Sequence, residues 1–352
     1  LFSASLKTIK IKVEDKLMNS VWTMAAAALA FGVTALLGKW MVPFLHKINF
    51  GQTIREVGPK WHQKKNGTPT MGGFMFIAGI LVAAAVCVPM YYHTAGRSSL
   101  ESMMRTKITG GLLMALGFGA VGFFDDYIKV VKKRNLGLNV RQKLVLQFLV
   151  AGGYLYSLYL AGGSSILIIP LVGSFHLGVW YWILSLLLIV GMVNAVNFTD
   201  GIDGLNASVT FFVSVFFLII AGALGVSGIG ILAAATAGAC LGFLVWNFNP
   251  AKVFMGDTGS LFLGGLVCAL GFGLNRPILI LPLGIIYICE ILSVVLQVSY
   301  FKATHGKRLF KMSPIHHHFE MCGWNEVKIC AVFSLVTMLA GAAATLWVVY
   351  GT

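Results

Sequence analysis

Long apolar runs separated by short polar breaks dominate the chain from residue 17 onward. They fall near Leu17–Leu45, Met71–Tyr92, Ile108–Phe124, Leu144–Leu160, Gly178–Val196, Leu205–Leu224, Ile229–Trp246, Ser260–Leu274, Ile278–Tyr300 and Val327–Tyr350. Each approaches the ~20 residues needed to cross a ~30 Å hydrocarbon core. Backbone polar groups in lipid must be paired within the segment, so runs of this length are helices. The pattern predicts an all-α polytopic membrane bundle of about ten transmembrane helices. It reads as one integral-membrane domain over residues 1–352, with residues 1–16 as an N-terminal tail. The eighth run is short, and two neighbours also read as one broken helix. Between Leu160 and Gly178, Ile166–Val172 suggests a small hairpin or surface segment.

Composition supports this class. Hydrophobic residues make up 58% and charged residues 11%, and the mean hydropathy of +0.85 is far from that of a soluble domain. The formal charge of +14 raises nucleic acid as a partner, but its distribution argues for a membrane and against nucleic acid. Lys47, Arg55, Lys60, Lys64 and Lys65 precede the second run. Lys129, Lys132, Lys133, Arg134, Arg141 and Lys143 separate the third from the fourth, and Lys302, Lys307, Arg308 and Lys311 follow the ninth. That alternation predicts cytoplasmic basic loops and extracytoplasmic termini. Lys7, Lys10, Lys12, Lys16, Arg97, Arg105 and Lys107 run against it. The six cysteines form no C-x-x-C pair, which supports neither a zinc ribbon nor a disulfide framework. The first run lacks the short core and cleavage site of a removable signal and is expected to be retained.

Five of the six aspartates lie in three polar breaks. Asp125 and Asp126 close the third run in Phe-Phe-Asp-Asp-Tyr-Ile-Lys. Two carboxylates at a helix C-terminus oppose its dipole and need compensation; solvated pairing with Lys129, Lys132 and Lys133 is the plain alternative to a role in chemistry. Asp200 and Asp203 stand in Asn-Phe-Thr-Asp-Gly-Ile-Asp-Gly, where a helical turn would put them on one face. Either could instead cap the next helix. The spacing is not that of an EF-hand. Asp257, in Phe-Met-Gly-Asp-Thr-Gly-Ser, opens a helix whose free N–H groups suit an anion. Carboxylates are ligands for a hard divalent cation, so their gathering at run ends reads as a magnesium and phosphate site at a membrane surface. His316, His317 and His318 follow a basic stretch and suit nucleotide or diphosphate contacts, or a surface touching anionic lipid. Glu290 lies inside the ninth run, where an acid is either functional or paired with a neighbouring helix.

Together these stretches resemble the polyprenyl-phosphate N-acetylhexosamine-1-phosphate transferases. Thr-Pro-Thr-Met-Gly-Gly and the three aspartate motifs carry the resemblance, which runs from about Gly58 to Lys328. Ser-Pro-Ile-His-His-His-Phe-Glu marks the branch that uses a muramoyl-pentapeptide donor. The resemblance implies transfer of phospho-muramoyl-pentapeptide from UDP-MurNAc-pentapeptide to undecaprenyl phosphate, with Mg2+, in a bacterial cytoplasmic membrane. It also implies an active site on the cytoplasmic face and a homodimer. On the same footing, Asp257 is the main magnesium ligand, helped by Asp125 or Asp126. One of that pair deprotonates or orients the lipid phosphate, or forms a covalent intermediate. Asn194, Asn197, Asp200 and Phe254 fall on the nucleotide side with Asn247 nearby, and Asp203 joins the substrate-binding group. Lys65, Thr70, Lys129 and Lys143 face phosphate. His316, His317 and His318 line the sugar-phosphate side, His317 as a catalytic group. A sibling transferase using UDP-N-acetylglucosamine, a cation-coupled transporter and a cell-wall scaffold are the competing readings. A transporter would place its acids at mid-span, whereas these aspartates sit at span ends.

Overall fold

A computed structural model describes residues 2–48, 65, 67–95, 102–131 and 137–351. Arg55, Lys60, Lys64, Arg97, Lys132, Lys133 and Arg134 lie outside the described residues, as do the side chains of Lys7, Lys10, Lys12 and Lys16. Eleven helices carry the fold: α1 (Phe2–Lys47), α2 (Gly73–Thr94), α3 (Gly111–Val131), α4 (Val140–Leu160), α5 (Val179–Phe198), α6 (Leu205–Ala223), α7 (Ser227–Asn247), α8 (Gly256–Gly273), α9 (Ile285–Ala303), the short α10 (Ile315–Glu320) and α11 (Glu326–Tyr350). Short helical pieces precede α3 and α9. All but α10 are long and apolar enough to cross a membrane, which gives ten candidate spans among the described residues.

Most of the sequence boundaries hold to within a few residues, but the third helix runs on to Val131 and the ninth begins at Ile285. Helix α1 is continuous from Phe2 to Lys47. The eighth run is a helix of its own. The loop between α4 and α5 forms the suggested hairpin, pairing β1 (Ile166–Ile169) with β2 (Gly173–His176), so its second strand lies beyond the segment singled out.

Helix α8 is the central post. Of its most apolar window 89% is buried, against 22% for α1, and α2, α3, α5, α6 and α7 all touch it. Its composition explains why: glycines let neighbouring backbones approach closely. Gly265 meets Ala115 and Phe118 of α3, and Gly264 meets Val193 of α5. Large side chains instead cover the outside, including Leu113, Leu149, Leu187, Val295 and Leu339. Such a surface is stable against lipid tails rather than water.

Ten alternating spans place the α1–α2, α3–α4, α5–α6, α7–α8 and α9–α11 connections at one end of the bundle. The hairpin sits at the other end, in the α4–α5 connection.

A Cβ added at Gly238 of α7 would overlap the Ala27 backbone of α1, which has no soft side chain to yield. Gly238→Ala should therefore lower the thermal unfolding temperature in detergent, at a cost of about 1–3 kcal/mol. Gly191→Ala, where a Cβ meets open space, should leave it unchanged or raise it. Equal melting of the two variants would remove close α1–α7 packing as a source of stability.

Candidate active site

The three aspartate motifs and the histidine run sit at that one end, in the connections or in the helix turns that adjoin them. The contact at its centre joins the end of α3 to the start of α8. Asp126 accepts from the backbone N–H of Asp257 at 3.2 Å, and from the N–H and hydroxyl of Thr258 at 2.9 and 2.8 Å. A carboxylate from one helix thus caps another, taking up N–H groups that the first turn leaves free. The dipole of α3 disfavours that charge and the dipole of α8 favours it. Gly256 makes the approach possible: it has φ +70°, and a Cβ there would overlap the Asp126 carboxylate and the Thr70 hydroxyl.

The lysines complete the cluster. Lys129 lies 2.6 Å from Asp125 and 2.9 Å from Asp257, and Lys143 of α4 reaches the same Asp257 oxygen at 2.9 Å. Asn197 donates to the other Asp257 oxygen at 2.9 Å and to Ser260 at 2.7 Å. Asp125 also accepts from the Leu138 backbone at 2.9 Å, tying the start of α4 to the site. Both members of the pair are buried, so solvated ion pairing does not describe them.

Asp200 and Asp203 part company. They lie in a turn between α5 and α6 rather than on a helical face, and the cap position of α6 is Gly204. Asp203 accepts from Lys65 at 2.6 Å, Asn249 at 3.1 Å and the Ala251 N–H at 2.9 Å. Lys65 is further held by both oxygens of Glu326, at 2.6 and 2.7 Å. Glu326 in turn accepts from the Asp203 N–H at 2.8 Å. Lys65 thus enters the site with its ammonium already shared by two carboxylates. The half-buried Asp200 has no side-chain hydrogen bond or ion pair among the described residues. Burial and the negative charges of Asp257, Asp126 and Asp203 push its carboxyl well above the usual carboxylate range.

The remaining expected residues divide by what they touch. Asn194, one turn deeper than Asn197, is engaged by Gln147 and the Val190 carbonyl. Asn247 accepts from the Gly204 N–H and donates to the Val253 carbonyl, bracing two loops. Phe254 is half-buried, and its backbone pairs with Pro69 and Gly72, beside the buried Thr70. The three histidines point to different partners. His316 is buried beside Glu290, His317 lies 2.6 Å from Glu320, and His318 accepts from the Lys311 N–H at 3.2 Å.

A cation-binding group fits this donor set. Oxygens of Asp125, Asp126 and Asp257 lie within 4.8 Å of one another, an all-oxygen set suited to a hard cation. Three carboxylates against two ammonium groups leave a net negative charge. The Asp257 side chain keeps 18% exposure, so the cluster opens outward.

Glu326, Gln147, Thr258, Ser260 and Asn249 take part without having been singled out from sequence. Glu326 follows Asn325, whose side chain caps α11, and so reads locally as an ordinary acidic residue in a first turn.

Asp126→Asn would turn an amide N–H2 toward N–H donors. It should destabilise the protein more than Asp125→Asn, by about 1–3 kcal/mol, in side-by-side thermal unfolding. Asp200→Asn should melt at the same or higher temperature than the parent at neutral pH. A raised carboxyl is a cost above its ordinary range and none below it, so the difference should close as pH falls through that range. A lower melting temperature for Asp200→Asn at neutral pH would contradict the assigned surroundings.

Residues 108–274, which hold all three aspartates of the cluster, match the model of Glycosyl transferase family 4. The chain is 43% identical over 334 residues to a phospho-N-acetylmuramoyl-pentapeptide-transferase of Clostridium perfringens strain SM101, covering 95% of this chain and 97% of the relative. It is 45% identical over 316 residues to the enzyme of that name from Clostridioides difficile strain 630, covering 89% and 94%. It is also 45% identical over 317 residues to that of Bacillus thuringiensis strain Al Hakam, covering 90% and 94%. With likeness at this level along nearly its whole length, the chain belongs to the phospho-N-acetylmuramoyl-pentapeptide-transferase family.

Proposed function

We propose that the protein transfers phospho-N-acetylmuramoyl-pentapeptide from UDP-MurNAc-pentapeptide to undecaprenyl phosphate. An oxygen of the lipid phosphate attacks the phosphorus bearing the sugar. The bond from that phosphorus to the bridging oxygen breaks, UMP leaves, and the lipid pyrophosphate remains. The observation that carries this reading is the Asp125–Asp126–Asp257 cluster with Lys129 and Lys143, held at span ends in a chain of this family. A lipid acceptor and a soluble nucleotide can meet only at such an interface. The basic connections share this end, which supports placing it on the cytoplasmic face.

Asp125, Asp126 and Asp257 are assigned to hold Mg2+. When bound, the ion offsets charge on the diphosphate. Lys129 and Lys143 supply further positive charge, and Asn197 fixes the Asp257 carboxylate. Both oxygens of Asp126 are engaged by the start of α8. Both oxygens of Asp125 are engaged as well, by the Leu138 N–H and by Lys129, so the role of orienting the acceptor phosphate is assigned to the pair. Asp200, Asp203 and Phe254 are assigned to the nucleotide side, and Lys65 and Thr70 to phosphate. His316, His317 and His318 are assigned to the sugar-phosphate side. A homodimer is part of the same reading and rests on the resemblance alone.

Purified protein with undecaprenyl phosphate and Mg2+ should release UMP from UDP-MurNAc-pentapeptide and not from UDP-N-acetylglucosamine, and a chelator should stop it. Asp257→Ala should lower turnover by roughly 100-fold or more while the protein stays folded. Release from the N-acetylglucosamine donor alone would move the protein to the sibling activity. Full turnover in Asp257→Ala would remove Asp257 from the metal role.

A further inference from the structure

Glu290 has no place in the cluster, yet it is a fully buried acid inside the span α9. Its Oε2 lies 3.0 Å from Nδ1 of His316 and 3.5 Å from the His316 backbone N–H. The ring approach is not aligned as a hydrogen bond. Both ring nitrogens and Glu290 Oε1 are buried without an aligned partner among the described residues. Buried polar atoms in this state are costly and are kept where a site needs them. The other edge of the ring faces Gly201, where an added Cβ would overlap Nε2 of His316. Gly201 sits between Asp200 and Ile202, in the turn that carries both Asp200 and Asp203. Glu326 grips the same turn through the Asp203 N–H. The turn is thus clasped by two acids, directly by Glu326 and through an imidazole by Glu290.

We propose that Glu290 is a positioning residue for the nucleotide-sugar donor. It sets the His316 ring, and the ring sets the turn that presents Asp200 and Asp203. The inference rests on the transferase reading above, which assigns that turn to the donor side. Glu290 touches none of Asp125, Asp126, Asp257, Lys129 or Lys143 in any contact of the described residues, so its loss acts on donor binding rather than on the lipid phosphate.

The test compares the parent with Glu290→Gln, His316→Ala and the double variant, measuring KM for UDP-MurNAc-pentapeptide and for undecaprenyl phosphate. Glu290→Gln keeps the size of the side chain and should raise the donor KM about tenfold, the scale of coupling between touching groups, with the acceptor KM unchanged. In the His316→Ala background it should add nothing further. If Glu290→Gln does not fold, Gly201→Ala probes the same contact from the turn and should give the same donor-selective rise. Unchanged KM values, equal changes for both substrates, or effects that multiply in the double variant would each overturn the proposal. A parent protein that transfers nothing would instead overturn the transferase reading, before any substitution is compared.

Discussion

The capping of α8 by Asp126 is the contact on which the rest of the site depends. A carboxylate at the end of α3 is unfavourable on its own helix, and the free N–H groups at the start of α8 are unsatisfied on theirs. Setting one against the other removes both problems and fixes where the two helices end relative to each other. Lys129, one turn beyond Asp125, and Asp257, one residue into α8, then meet without further adjustment. The approach needs Gly256 at its positive φ and Gly122 on α3, where a Cβ would overlap the Asp257 backbone.

That contact can form because glycines and alanines between α8 and its neighbours let the backbones approach closely. Large apolar side chains fill the rest of the interior, among them Phe76, Phe118, Phe243 and Phe262, and others cover the outer surface. Helices in lipid gain little from hiding apolar surface from their surroundings, so close van der Waals contact must hold them. Packing at this distance leaves little freedom for α3 to slide along α8. The polar end inherits that rigidity, which a phosphoryl-transfer site requires of groups that act by position and charge.

The polar end is organised in two linked layers. Around Asp257, lysines and carboxylates compensate one another directly. Around Asp203, Lys65 and Glu326 join the segment before α2, the α5–α6 turn and the start of α11. Asp200 stands between the layers with no compensating cation among the described residues, and its surroundings resist the charged form. A protein selected for stability alone would not leave a carboxyl there; the arrangement makes sense where a ligand completes the site.

The spans, the all-α class and the three aspartate loops were legible from the order of residues alone. Run length and the scarcity of charge are local properties, and a polar group in an apolar chain is conspicuous wherever it ends up. Alternation of spans also made it legible that these loops share one end of the bundle. What each residue does there was decided only by the tertiary structure. Asp125 and Asp126 are neighbours in sequence, but Asp126 caps α8, across 131 positions, while Asp125 holds Lys129 and the Leu138 N–H. Asn194 and Asn197 differ by one helical turn, and only Asn197 faces Asp257. The charge of Lys65 is shared with acids 138 and 261 positions away. Glu290, conspicuous as an acid within a span, acquires its partner only when α10 folds back over α9. Such pairings depend on how each helix is rotated about its axis and which helices are neighbours, and packing among small residues sets both.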